Sequence, residues 1–423
     1  MPTPHTPPSA ATPRAAPAAP SPAGLSAGMV FVFAAASGLT VANIYYAQPL
    51  LGPISAALGM PAGTAGLIMT LVQVGYGAGL LLLVPLADVV ENRRLILALL
   101  GGVVLGLAGV AGAGSAAAFL AASFLVGVCA VATQVLVPFA SQLVPDARRG
   151  RTVGNIMAGL LGGIMLARPV ASAVASAGGW RAVFVLSAAA MAALMLALWR
   201  ALPQRRPSGG AGYAAIIASL PGIVRGTPLL RRRSFYQAMM FAGFQAFWTA
   251  APLMLAREFG LDQRGMALFA FAGASGALAA PLAGRLADRG LTRLGTGVAQ
   301  AAGALSFAAA ALSVHFHSMA GLVLSVVVLD AMVQLNHVLG LRSIYMLAPA
   351  LRGRLNGLYM ASIFAVGAAA SGLSAAAYAF FGWDAVCLLG GGAILLAFCG
   401  FLAEPRDGAP AGGVRAPGGE AAR

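Results

Sequence analysis

Lysine is absent from this chain of 423 residues, and it holds only eleven acids and three cysteines. Charged side chains make up 9% of the sequence, against roughly 25% in soluble globular domains. A water-facing surface cannot be assembled from so few. Cys129, Cys387 and Cys399 fall inside apolar runs, with no CxxC pair and no adjacent histidine. That excludes a disulfide framework and a zinc site, and leaves three small buried hydrophobes. Neither an H-E-x-x-H nor a G-x-S-x-G motif occurs, and those spacings place a metal or a nucleophile. His315 and His317 share a short turn with no carboxylate near them in sequence. The chain is therefore not expected to be an enzyme, nor to hold a metal or a cofactor.

What it has in excess is apolar side chains, 60% of all residues, with a mean hydropathy of +0.87. A helix crossing the hydrocarbon core needs about 20 apolar residues. Such runs recur at 26–48, 63–86, 94–113, 117–142, 153–176 and 181–201, then at 232–256, 265–287, 294–313, 319–345, 354–378 and 383–403. All twenty-six cations are arginine, and the net charge is +15, which raises a nucleic-acid reading. The arginines fall instead in alternate connections: Arg93/Arg94, Arg148/Arg149/Arg151, Arg200 to Arg233, Arg289/Arg293 and Arg352/Arg354. The other connections hold only Arg181, Arg257 and Arg264. This asymmetry is the positive-inside pattern and puts both termini in the cytoplasm; nucleic-acid binding would need one basic face. Residues 1–24 and 404–423, rich in Pro, Ala and Gly, read as disordered cytoplasmic tails. No cleavable signal peptide is expected, because the first apolar run is long and lacks a cleavage site. Residues 202–231 form a polar cytoplasmic linker, whose stretch Tyr213 to Val224 can lie on the membrane as an amphipathic helix.

The chain repeats itself. Pro85-Leu-Ala-Asp88-Val-Val-Glu91-Asn-Arg93-Arg94 is answered by Gly284-Arg-Leu-Ala-Asp288-Arg289-Gly290-Leu-Thr-Arg293. Arg149-Gly-Arg-Thr-Val-Gly154 is answered by Arg352-Gly-Arg-Leu-Asn-Gly357, Gly179-Trp180 by Gly382-Trp383, Gln134 by Gln334, and Pro49-Leu50 by Pro252-Leu253. An even number of spans per half inserts both halves the same way up, related by an axis along the membrane normal, with a site between them near the midplane. The expectation is an all-α integral membrane protein of twelve transmembrane helices, in two pseudo-symmetric six-helix bundles at 25–201 and 232–403.

These residues resemble the major facilitator superfamily of secondary transporters, over roughly residues 26–403. The family's signature loop reads G-x-L-A-D-R-x-G-R-R. The second copy keeps Gly284, Leu286, Ala287, Asp288, Arg289 and Arg293, with Gly290 one place early; the first keeps Leu86, Ala87, Asp88 and Arg93, followed by Arg94, and has Val84 and Glu91 in place of the glycines. An aspartate at a helix end can sit against the positive N-terminus of a neighbouring helix, a contact worth roughly 0.3–1 kcal/mol. Two-fold symmetry would put Asp88 beside Arg352 and Arg354, and Asp288 beside Arg149 and Arg151, as a latch between the halves. Topogenic charge alone is the other reading. The glycine pattern of helix five resembles that of drug:proton antiporters at Gly154, Gly163 and Ala167, with Arg168 where the proline belongs and Pro169 one place late. Such antiporters often carry an acid in helix one and an arginine in helix four; here helix one has no acid and Ser123 takes the helix-four position. The resemblance implies a multi-pass, monomeric carrier in the bacterial plasma membrane, with a small-molecule substrate and protons as partners.

Charges inside spans are costly and mark functional candidates. Arg168 and Asp330 are two such charges, and Asp330, Gln334 and His337 share one helical face within about 60°. Asp330 is the candidate titrating group, because an acid in a span is costly to keep ionised; a structural pairing of Asp330 with Arg168 or with a backbone amide, holding the halves together, is the alternative. Gln237, Phe241, Phe244 and Trp248 form a second face with Gln245 beside it, and Asn43, Tyr46, Gln73 and Tyr76 add polar groups on helices one and two. Rings mixed with amides suit a flat lipophilic ligand, including a cation held by cation–π attraction. Export of lipophilic drugs or metabolites fits that lining; proton-coupled uptake or exchange of a small organic anion fits Arg168. A passive channel is disfavoured by the duplicated helix set and its latch loops.

Overall fold

The computed structural model describes residues 25–61, 63–207, 212–347 and 351–404. The tails expected at 1–24 and after Glu404 lie outside the described residues. Among the described residues there are fifteen α-helices and no strand. α1 (Ala27–Ala42) starts on the hydroxyl of Ser26 and stops where Asn43 Nδ2 donates to Leu39 O at 2.9 Å. A 3-10 turn (Gln48–Leu50) and α2 (Leu51–Ala57) complete that crossing. α3 (Gly66–Leu82) runs into a 3-10 turn (Val84–Asp88), followed by α4 (Asn92–Gly112), α5 (Ala116–Cys129) and α6 (Ala132–Gln142). α7 (Asp146–Ala201) bends at Gly179 into two limbs, and α8 (Tyr213–Gly226) leads to the second set. This consists of α9 (Pro228–Glu258), α10 (Gln263–Ala274), a 3-10 turn (Ser275–Ala279), α11 (Ala280–Asp288), α12 (Thr292–His315), α13 (Met319–Tyr345), α14 (Arg352–Phe381) and α15 (Trp383–Leu402). Nine helical segments among the described residues are long and apolar enough to cross a membrane. Counting the two limbs of α7 separately, and adding the interrupted α1–α2 and α10–α11, gives the twelve expected crossings.

The outer surface is apolar: Leu105, Leu305 and Leu388 are 70%, 69% and 77% exposed. A surface of that kind belongs in lipid. Each half turns at the same place by the same device. Gly179 and Gly382 adopt φ of 74° and 79°, a conformation that costs glycine nothing, and a tryptophan follows each. Trp180 packs on Phe119 and Phe184, and Trp383 on Phe247. In the first half α1 lies along α7 so closely that a Cβ on Gly163 would stand 2.1 Å from Gly38 O. Gly154, the other glycine of the helix-five pattern, has open space around it, so Gly159 takes its place beside Gly163, against Ala34. The halves meet along α3 on α14 and α7 on α10.

The two Asp loops are built differently. Glu91 holds an extended conformation and caps α4, its carboxylate accepting from Arg93 N at 2.9 Å and Arg94 N at 3.2 Å. The second loop turns instead on Gly290, at φ 73°. α8 begins at the expected Tyr213, and Tyr213 Oη donates to Leu82 O at 2.9 Å. α9 begins at Pro228, inside the expected linker.

Candidate functional site

A cavity of about 140 Å³ lies at mid-height between the halves, lined from one side by Tyr45, Met165 and Arg168 and from the other by Gln237, Phe241, Phe244, Asp330, Gln334, His337, Met360 and Phe364. Asp330, Gln334 and His337 thus share the face that helical spacing assigned to them. The break between α10 and α11 is drawn against that face, since a Cβ on Gly276 would meet Asp330 Cβ at 2.7 Å. His337 stacks on Tyr359 with ring centroids 5.7 Å apart. Asn336 Nδ2 donates to Gln237 Oε1 at 2.7 Å and fixes the lower wall.

Arg168 is 4% exposed and Asp330 8%, yet no ion pair joins them. Arg168 Nε donates to Gln48 Oε1 at 2.7 Å. Its guanidinium lies over the rings of Tyr45, Phe244 and Trp248, at 5.1, 5.0 and 4.4 Å from their centroids. Trp248 Nε1 in turn donates to Asp330 Oδ1 at 3.0 Å. Direct pairing of the two charges, the structural alternative considered above, is replaced by this relay through an indole. The ring faces that suited a cationic ligand are already occupied by a resident cation.

Above the cavity, at the end remote from the arginine-rich loops, the halves are joined by a buried polar seam. Ser371 Oγ receives Gln73 Nε2 at 3.1 Å, Thr249 Oγ1 at 3.2 Å and Gln245 Nε2 at 3.4 Å. Gln48 Nε2 donates to Gln245 Oε1 at 3.5 Å. Below the cavity, Asn356 Nδ2 donates to Gln134 Oε1 at 3.3 Å, Gln134 Nε2 to Tyr76 Oη at 3.1 Å, and Tyr345 Oη to Asn356 Oδ1 at 3.2 Å. Beyond that chain a second cavity of about 170 Å³ opens at the arginine-rich end, bordered by Asp88, Gln142, Leu220 and Arg354.

Gln73 and Tyr76 therefore belong to the two seams rather than to the cavity wall. Asn43 and Tyr46 turn away from it. The turn after α1 rotates them toward the second limb of α7, where Ser187 Oγ donates to Asn43 Oδ1 at 2.6 Å, and Tyr45 faces inward in their place.

Of the latch residues, Asp88 and Arg354 border the same cavity without an ion pair, and Arg354 Nη1 donates to Ser219 on α8 at 3.5 Å. Arg352 Nε donates to Tyr345 O at 3.1 Å. Asp288 does not reach Arg149 and Arg151 as symmetry suggested. It pairs within its own half, with Arg342 Nη1 at 2.6 Å, because the end of α13 lies alongside α11. Arg342 also donates to Gly284 O, Arg149 Nε to Ser141 O and Arg93 to Trp199 O. Arg94 pairs with Glu91 at 3.6 Å, Arg293 lies over Phe401, and Arg289 and Arg151 are exposed.

Sequence reasoning missed Gln48, Tyr45, Ser371 and Asn356 as site residues. Gln48 gave a signal, an amide inside an apolar run just before a proline; nothing distinguished Ser371 from the other small residues of its helix.

Two interrupted helix sets enclosing a largely apolar pocket with a few polar and charged groups, sealed by different contacts above and below, define a polytopic carrier of solutes. The model of the Major Facilitator Superfamily matches residues 30–336 and 233–420, and the chain belongs to that family. It is 39% identical over 369 residues to the "Uncharacterized transporter YgaY" of Escherichia coli O157:H7, covering 86% of this chain and 93% of the relative. A "Chloramphenicol resistance protein" of Pseudomonas aeruginosa is 32% identical over 219 residues, half of each chain. Among solved structures, a POT family transporter in complex with a thioalcohol conjugated peptide superposes with a TM-score of 0.72, at 14% identity, over 89% of this chain and 95% of the other.

Proposed function

We propose that this transporter exports small lipophilic molecules in exchange for protons, by alternating access of the central cavity between two rocking bundles, 25–201 and 232–403. The observation that carries the reading is the cavity wall itself. Phe241, Phe244 and Phe364 supply ring surface, Met165 and Met360 supply deformable apolar contact, and Asp330 is the one carboxylate among them. Asp330 takes the proton in this scheme. Asp88, Arg352 and Arg354 stand at the arginine-rich end with no ion pair joining Asp88 to either arginine, and that end faces the cytoplasm together with both termini by the positive-inside rule. The carrier works as a monomer in the bacterial plasma membrane. Similarity over half the chain to a protein named for chloramphenicol resistance supports efflux.

A second reading, uptake or exchange of a small organic anion, is favoured by one observation: Arg168 Nη2 is enclosed and has no hydrogen-bond partner. The test expresses the chain in a pump-deficient host and follows dyes, antibiotics and organic acids, with and without a proton gradient. Export predicts lower accumulation of lipophilic probes, lost on collapse of the gradient and in Asp330→Asn. Gradient-driven accumulation of an organic acid, lost in Arg168→Ala, would reverse the assignment.

A further inference from the structure

A guanidinium and a carboxylate confined in one buried pocket ordinarily pair, since isolated buried charges are strongly penalised. Here a side chain keeps them apart. Trp248 lies under the cation with its ring and bonds the anion with its N–H. The indole is locked in that position by α10, where a Cβ on Gly273 would stand 2.7 Å from Trp248 Cζ2. Both side chains keep hydrogen-bonding positions unused. Arg168 commits Nε to Gln48, its Nη2 is enclosed without an acceptor, and its Nη1 has no hydrogen-bond partner among the described residues, on a side chain that lines the cavity. Asp330 commits Oδ1 to Trp248, and among the described residues no donor reaches its other oxygen. A buried donor without an acceptor is costly, and a ligand atom can supply the acceptor.

The net charge of the pocket narrows the choice of ligand. In the proton-free state that exchange leaves for the substrate, the resident charges of opposite sign cancel, so a neutral or zwitterionic occupant leaves the pocket neutral. A simple cation or anion would leave one uncompensated charge in a low-dielectric space. A cation would also find the faces of Tyr45, Phe244 and Trp248 taken by Arg168, while Phe241 and Phe364, 5.3 Å apart, keep ring surface for an aromatic body.

We infer that the site takes a small aromatic solute, neutral overall, that carries a hydrogen-bond acceptor for Arg168 and a donor for Asp330 a few bonds apart. This rests on the export reading. Trp248 is then a specificity-determining residue, because it maintains the gap that such a solute fills. Permanently cationic dyes are rejected.

The experiment measures steady-state accumulation of three aromatic probes in pump-deficient cells with and without the wild-type chain. Chloramphenicol is neutral and has nitro and amide oxygens beside hydroxyl donors; ethidium is a permanent cation with no acceptor oxygen; phenylpropionate is an anion with no donor. Chloramphenicol is expected to be excluded and the other two left unchanged. Purified protein is then titrated with chloramphenicol by tryptophan fluorescence. Arg168→Met and Asp330→Leu are each expected to weaken binding about ten- to a hundredfold, the range for a hydrogen bond to a charged group. If ethidium or phenylpropionate is exported as well as chloramphenicol, export stands and the substrate class is overturned. Binding by both variants equal to wild type would overturn it independently. If no probe of this set or of a wider lipophilic panel is exported, the export reading itself fails and the inference goes with it.

Discussion

Replacing Ser371 by alanine is expected to unlock the end remote from the arginine-rich loops. Three donors from α3 and α9 converge on its hydroxyl: Gln73 Nε2, Gln245 Nε2 and Thr249 Oγ1. Ser371 and all three partners are fully buried, with 0% exposure. The Thr249 hydroxyl can turn back to its own helix at little cost, so the two amides decide the magnitude. A buried donor left without an acceptor costs about 1–3 kcal/mol. Allowing for partial relaxation, the pair penalises the closed seam by about 2–4 kcal/mol. Opening that end admits water to both amides, so the penalty falls on the closed state alone. At 1.4 kcal/mol per tenfold, the equilibrium moves roughly thirty- to seven-hundredfold toward the open form. Spin labels at Ala57→Cys and Arg264→Cys, on opposite halves at that end, report it by electron–electron distance in a Cys399→Ser background. A longer distance should become dominant in Ser371→Ala, while Gln73→Met, which removes one donor along with its need, should change little. Superposition of the Ser371→Ala and wild-type distance distributions would refute the account of the seam.

Gly163→Ala places a methyl 2.1 Å from Gly38 O. Overpacking of this kind costs about 1–3 kcal/mol, so the detergent-solubilised protein should unfold a few degrees lower, whereas Gly154→Ala, in open space, should not. Glu91→Ala removes the cap of α4 and the acceptor for Arg205 N at 3.3 Å; a loss of about 1–2 kcal/mol should appear as faster hydrogen exchange at Arg93 and Arg94. Asp288→Asn breaks a pair whose side chains are 46% and 69% exposed, so the change in stability should stay below about 1 kcal/mol, measured as the unfolding temperature at low and high salt.

Much of the fold was legible because lipid is an unforgiving solvent. Apolar run lengths, alternating arginines and repeated landmarks each report a constraint acting along the chain, and Gly179-Trp180 and Gly382-Trp383 turn the two halves in the same way. The face shared by Asp330, Gln334 and His337 was legible because an unbroken helix carries its spacing into space. Asn43 and Tyr46 were misplaced for the converse reason: α1 stops at Ala42, and past that point helical spacing no longer says which side chain faces inward. The partner of Asp288 was hidden because symmetry relates backbones more faithfully than side chains. Arg342 is local to the second half, and the first half has Val84 and Glu91 where the loop would otherwise turn on glycine. Ser371 stayed invisible because its role comes from three donors on two other helices.

The two seams differ in kind, and the difference fixes which end yields first. At the remote end Gln48, Gln73, Gln245, Thr249 and Ser371 are all fully buried, so each bond broken there exposes a group to no immediate substitute partner. At the arginine-rich end the Gln134–Asn356 bond, 3.3 Å long and part-buried, borders a cavity of about 170 Å³. Water in such a space replaces a lost hydrogen bond at small cost. Asp88 contributes no ion pair across that gap, and the bond between Asp288 and Arg342 stays within one half. A cysteine at Gly357, on the cavity side of α14, is therefore expected to react with a water-soluble maleimide far faster than one at Ala368 in the remote seam, both in a Cys399→Ser background. Adding Asn356→Leu should raise the rate at position 357 by up to about tenfold, the worth of one net hydrogen bond, and leave position 368 unchanged. Equal reactivity at the two positions would mean that burial does not rank the gates, and the order of opening argued from it would be wrong.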